Sequence, residues 1–190
     1  MVANIFHQGA FYVAKIDLNK VKNSYSLFEK FMPLAAHAMV RFEMMEDSPI
    51  ELIAKLPTHE EWNAGTKFIP LEQLIKIHDL IMSFDSEWTV GKGPFNPIKG
   101  VVNTYTSIFR FLSVDSFIDT YFSSRPFPVE QFKLNLTTNE SANYLRNLLD
   151  RSAQYGVSKG FNTVCNNCTT NPVDSLKEAV PAVNRENGKI

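Results

Sequence analysis

At 190 residues the chain is long enough for one domain with a substantial core, and its 44% hydrophobic and 21% charged residues are ordinary for a globular protein. Nineteen Lys and Arg stand against 20 Asp and Glu, and a net charge of -1 excludes a general electrostatic drive toward nucleic acid or anionic membrane. The first twenty residues lack a basic region followed by an unbroken apolar one, and no run approaches the roughly 18 apolar residues that span a bilayer. The chain therefore reads as soluble, with any membrane association not encoded in it.

No repeat and no linker rich in Gly, Pro or Ser divides the chain, so a single domain over 1–190 is expected. In chain order, "NKVKNSYSLFEKFMPL" reads as a short helix stopped by Pro33. "HAMVRFEM" and "IELIAKLP" read as two strands of one hairpin joined by "MEDSP". A helix is expected from Pro70 to Phe84, with Pro70 in its first turn and Leu71, Leu74, Ile75, His78, Ile81 and Met82 on one face. Residues 95–136 carry aromatic and β-branched side chains without a clean period, and read as a short helix or loop near 96–103 followed by two or three strands ending at "EQFKLNL". "TTNESANYLRNLLDRSAQYG" is the clearest helix: Thr137 and Glu140 form a capping box, Ala142, Leu145, Leu148, Leu149 and Ala153 make the buried stripe, and Gly156 ends it. This order of helices and strands suggests an α+β fold.

Both cysteines lie in "FNTVCNNCTTNPVDSL". Two thiols three residues apart supply at most half of a structural zinc site, and His7, His37, His59 and His78 form no pair with ligand spacing, so no metal and no cofactor is expected. A thioredoxin-like use of the pair would place it after an early strand rather than near the C-terminus. "FNTVC" reads as apolar packing around Cys165. "NNCTTN" surrounds Cys168 with residues that favour turns and helix caps, and Pro172 fits the first turn of a helix beginning there. A thiol at a helix start has its thiolate favoured by the helix N-terminus and by a neighbouring imidazolium.

A thiol nucleophile needs a base within reach. On the strand "HAMVRFEM", His37, Met39, Arg41 and Glu43 share one face, and Ala38, Val40 and Phe42 the other. The second set is core-like, so His37 is directed away from the core, toward a possible cleft. His78 falls on a helix stripe, and His7 and His59 read as loop residues. The group orienting His37 is expected to be Glu51, with Glu43 and His59 as alternatives.

Together "HAMVRFEM", "NPIKGVVNTYTSI", "VEQFKLNLTTNESANYLRNLLDRSAQ" and "FNTVCNNCTTNPVDSL" resemble the Lnb N-terminal periplasmic domain family, named after a lipoprotein N-acylation protein. "FNTVCNNCTTN" is the most specific piece and the His-initiated strand the second. The resemblance runs from about 36 to 176 and leaves 177–190 as a C-terminal tail. It implies a papain-like α+β fold in circularly permuted order (NlpC-related), with a central antiparallel sheet and flanking helices, and a periplasmic location. Cys168 takes the nucleophile position and His37 the base position, while Phe161, Asn167, Thr169 and Thr170 shape the turn.

The function expected is a cysteine-dependent acyl transfer or amide hydrolysis, in which Cys168 attacks, His37 acts as base, and Asn167, Thr169, Arg41 and Glu43 support the turn or the substrate. The partner would be an acylated lipoprotein, phospholipid or peptide. A catalytically inactive lipid- or peptide-binding module on the same fold is the rival, and a Cys165–Cys168 disulfide masking the nucleophile a further variant.

Overall fold

The computed structural model describes residues 1–32, 35–87, 100–101, 105–119, 127–155 and 160–180. Ten strands form one large open sheet: β1 (Val2–His7), β2 (Ala10–Lys15), β3 (Val21–Met32), β4 (Ala35–Met44), β5 (Ile50–Lys55), β6 (Ile69–Ile77), β7 (Asp79–Glu87), β8 (Tyr105–Ser113), β9 (Val129–Lys133) and the two-residue β10 (Gly160–Phe161). Among the described residues the helices are α1 (His59–Asn63), α2 (Val114–Phe117), α3 (Thr138–Tyr155) and α4 (Thr170–Ala179), with a 3-10 turn at Leu18–Lys20. The order across the sheet is β6-β5-β2-β1-β8-β7-β4-β3-β9, with β10 beside β8, and every pairing is antiparallel except β1 with β8.

Only His78 separates β6 from β7, although they lie five places apart in that order. A flat sheet would set them roughly 24 Å apart at the usual strand spacing. The sheet therefore curls until the end of β6 reaches the start of β7. Its concave face holds the main core, in which Leu52, Phe42, Met82, Phe84 and Phe111 meet Tyr144, Leu145 and Leu148 of α3 and Ala179 of α4. A smaller cluster of Leu27, Met39, Ile81, Leu112 and Phe117 covers part of the opposite face.

Several sequence expectations change here. Residues 70–84 are not a helix but most of β6 and the first part of β7. Their Ile-rich run fits a strand as well as a helix face, and Pro70 is tolerated because β6 is an edge strand. The segment expected as a short helix before Pro33 is the twelve-residue β3. β4 and β5 are strands but not a hairpin: β4 pairs with β3 and β7, and β5 with β2 and β6. Between residues 105 and 136 the described residues form two strands and the short α2, while Gly156 and most of 96–103 lie outside the described residues. The hairpin of β1 and β2 was not foreseen.

The α3 helix matches its expectation. Glu140 N–H donates to Thr137 Oγ1 (3.2 Å) and Thr137 N–H donates to Glu140 Oε2 (2.8 Å), closing the capping box. Its buried residues include Ala142, Leu145 and Leu148, with Ser141 and Tyr144 added and Ala153 exposed.

Candidate active site

His37 sits on an interior strand, between β3 and β7. Pairing of β4 with β7 runs from Glu43↔Asp79 to Met39↔Ser83. Continuing the same register by two residues sets His37 opposite Asp85, and the two side chains meet at 3.1 Å, Nε2 to Oδ1. Their side chains are 15% and 20% exposed, which makes this a largely desolvated pair. The same Nε2 lies 2.7 Å from Ser83 Oγ, and Ser83 Oγ donates to Asp85 Oδ2 at 2.9 Å. Arg110, across from Ser83 on β8, brings Nε to 3.4 Å from Asp85 Oδ2.

Cys168 enters from the other end of the chain, just before α4. The β4–β7 pairing stops at Met39, and the Ala38 N–H there donates to the Cys168 sulfur. His37 hydrogen-bonds the same sulfur, as does the Thr169 hydroxyl.

Four asparagines hold the thiol in place. Asn162 Oδ1 accepts from Val164 N–H (2.9 Å) and Cys165 N–H (3.2 Å), and its Nδ2 donates to Val101 O. Asn166 Nδ2 donates to Gly160 O, and Asn171 Nδ2 to Asn166 Oδ1. Asn167 Oδ1 accepts from both Thr169 N–H (2.8 Å) and Thr170 N–H (2.9 Å), and its Nδ2 reaches Thr163 O (2.7 Å). Asn167 thereby caps α4 from outside the helix. The next N–H, of Asn171, goes to Asn167 O.

Burial would push the Cys168 thiol up, but the hydrogen bond and charge of His37, with the Ala38 N–H and the Thr169 hydroxyl, hold it below the ordinary thiol value. Burial likewise pulls His37 down, and the hydrogen bonds to Asp85 and Cys168 with their charges outweigh it, raising His37 to about 10. Asp85 is pushed up by burial and brought below the usual carboxylate range by His37, Arg110 and Ser83. The three shifts agree in direction: each favours an ionised thiolate, imidazolium and carboxylate in one cluster.

The other expected residues lie elsewhere. Glu51 is on β5 and faces Lys15 Nζ at 3.8 Å, five strands from β4 in the sheet order, so the carboxylate beside His37 is Asp85. Arg41 and Glu43 share the His37 face but lie roughly 13 and 20 Å further along the strand. Arg41 pairs with Asp79 (2.7 Å) and stands over Tyr25. Glu43 is held down to about 2 by Asn23 first, against burial, and by Tyr25 and Lys22. Cys165 is exposed beside the 68% exposed Val164, so the expected apolar packing is absent; Asn162 accepting at both backbone N–H groups fixes an outward turn instead. His59 opens α1, and His7 is buried on β1 with Nδ1 2.8 Å from Ser113 Oγ. Among the described residues no group of three or more His, Cys, Asp or Glu side chains gathers as a metal site requires.

Sequence reasoning missed Asp85 and Ser83 because it placed 70–84 on a helix. Read as a strand, Ser83 and Asp85 alternate with apolar Met82 and Phe84, and that alternation was the available signal.

The sequence model of the Lnb N-terminal periplasmic domain matches residues 8–189. The chain belongs to that family. The match begins well before Ala36 and takes in β2, beyond the segments that carried the resemblance in the sequence. No curated protein and no solved structure matches the chain. The family's domain is periplasmic, and among the described residues no helix is long and apolar enough to cross a membrane.

Proposed function

We propose that this Lnb-family domain is a cysteine-dependent acyltransferase acting on an acylated lipoprotein or phospholipid, with Cys168 as nucleophile, His37 as base and Asp85 as the group that orients His37. The observation that carries the reading is the hydrogen bond between the His37 ring and the Cys168 sulfur, backed by Asp85 at 3.1 Å. An early histidine on an interior strand and a late cysteine before a helix are the arrangement of a papain-like enzyme in permuted order.

The thiolate attacks an ester carbonyl carbon, forming an S–C bond and placing the electron pair on oxygen. In this reading the Cys168 N–H, next to the helix start, receives that oxyanion. Collapse breaks the C–O bond of the ester, and the His37 imidazolium gives its proton to the departing alkoxide. The acyl-thioester is then attacked by an amine, His37 takes the amine proton, and the thiolate leaves. Water in place of the amine gives hydrolysis. A small cleft of about 60 Å³ lies between α4 and the β3–β4 pair, lined by Phe28, Ala38, Val40, Tyr144, Val173 and Leu176, and its apolar walls suit a short alkyl segment of the acyl group carried on the Cys168 sulfur.

The test is intact-mass analysis of the chain after incubation with a diacylated lipopeptide, a phospholipid or an acyl peptide amide. One acyl mass gained at Cys168, transferred to an added amine and absent in Cys168→Ser, is expected. No adduct with any of the three donors, together with retained binding, overturns the enzymatic reading in favour of a binding module.

A further inference from the structure

We infer that Ser83 is a positioning residue that fixes which nitrogen of His37 carries a permanent proton, and so presents Nδ1 to Cys168. This rests on the proposed Cys168–His37 chemistry and extends it to a residue outside the nucleophile, base and acid.

The argument is a count of protons. An ionised carboxylate accepts only, so the 2.9 Å contact between Ser83 Oγ and Asp85 Oδ2 must use the one hydroxyl proton of Ser83. Ser83 then has only lone pairs to offer His37 Nε2 at 2.7 Å, and that nitrogen must be the donor. Asp85 Oδ1, at 3.1 Å from the same Nε2, imposes the same requirement. Nε2–H is thus shared between two acceptors, of which Ser83 is the nearer. With Nε2 occupied, Nδ1 is the ring atom left for the Cys168 sulfur, and it is the atom that gains and loses a proton during transfer.

The sheet explains the precision of this arrangement. Ser83 is completely buried, opposite Met39 across β4–β7 and opposite Arg110 across β7–β8, so its backbone is held on both sides. Ser83 and Asp85 lie two residues apart on one face of one strand, and close a ring with the His37 side chain. Asp85 supplies charge, and Ser83 supplies the closer acceptor and holds the carboxylate at its other oxygen. A carboxylate alone could rotate about its terminal torsion; the hydroxyl removes that freedom.

The experiment measures alkylation at Cys168 by iodoacetamide against pH, read by peptide mass so that a thiol at position 83 is scored apart, in the full chain carrying Cys165→Ser, comparing Ser83, Ser83→Ala and the nearly isosteric Ser83→Cys. Thermal melts and nitrogen-15 spectra of the His37 ring accompany it. Ser83→Ala is expected to move the alkylation midpoint upward, so that the rate below it falls about tenfold, a one-unit displacement. Above the His37 midpoint near pH 10, where the ring is neutral, the spectra should change from an Nε2-protonated ring to a mixture of tautomers. Ser83→Cys, which keeps a weak hydrogen-bonding group, should fall between. A Ser83→Ala variant that melts lower with an unmoved midpoint and unchanged ring spectra overturns the inference and leaves Ser83 structural. Should Ser83→Ala not fold, the Ser83→Cys midpoint and spectra decide the matter alone. The reading of the site fails separately, and visibly, if the unsubstituted Ser83 chain already alkylates Cys168 with an ordinary thiol profile.

Discussion

At the scale of single residues, the chemistry depends on two groups whose ionisation each sustains the other. Below its ordinary value of 6.5, His37 is charged whether folded or not, and its stabilising contribution is fully present; that contribution is lost as pH rises through about 10. The Cys168 contribution has the opposite sense: it is present above the ordinary value of 9.0 and lost as pH falls through the lowered folded value. Thiolate and imidazolium therefore coexist between those limits. Turnover is expected to rise as Cys168 ionises below pH 9.0 and to fall near pH 10, and a profile set by one group alone would contradict the pair. Asp85→Asn removes the charge and changes the hydrogen bond that raise His37, so the alkaline limb should move to lower pH while turnover drops at least tenfold. Cys168→Ser should abolish acyl transfer with the fold intact, whereas Cys165→Ser, at an exposed thiol whose backbone alone is held by Asn162, should keep nearly all of it.

At the scale of elements, the decisive piece is the turn from Asn162 to Asn171, where side-chain amides replace the backbone partners a loop lacks. Asn167 joins the turn to α4, so Asn167→Ala should cost about 1–2 kcal/mol, as loss of a helix cap does, and denaturant titration measures it. Asn167→Asp keeps the acceptor and adds a negative charge beside the sulfur; Cys168 should then alkylate with a midpoint displaced upward, and an unchanged midpoint would mean that the cap oxygen is electrically remote from the thiol. These local signals were legible in the sequence. The Thr137/Glu140 box and the leucine stripe of α3 gave that helix, Pro172 and the polar residues before it gave the start of α4, and alternation gave β4. Elements whose evidence is non-local were not legible. β3 reads as helical until its partners are known, since Leu27 and Glu29 are buried only once distant parts of the chain pack against them. β6 and β7 carry isoleucines at spacings that suit either period. The first hairpin turns on Gln8 and Gly9, with φ of 43° and 81°, and Gln-Gly is a weaker turn signal than Asn-Gly.

At the scale of the whole molecule, the curl of the sheet decides how stability reaches the site. The main core runs without a break from Ile5, Tyr12 and Leu52 on β1, β2 and β5 to Phe42 and Met82 on β4 and β7, and on to α3 and α4. The outer strands therefore back the same apolar layer as the strands that hold His37 and Asp85, although Leu52 itself belongs to no part of the site. Leu52 is fully buried, and Leu52→Ala removes three carbons from that layer without touching the sheet's hydrogen bonds. A loss of about 2–5 kcal/mol is expected, which for a chain of this length lowers the melting temperature by roughly 4–20 °C. Because the core is continuous, the loss should appear as one transition shifted as a whole, with tryptophan fluorescence and far-ultraviolet circular dichroism moving together. At 20 °C, where the variant remains folded, alkylation of Cys168 should keep its native midpoint. Two separated transitions, with the β2–β5–β6 strands melting first and Cys168 unaffected, would mean that the outer strands form a separate cooperative unit and that the layer joining them to the site carries little energy.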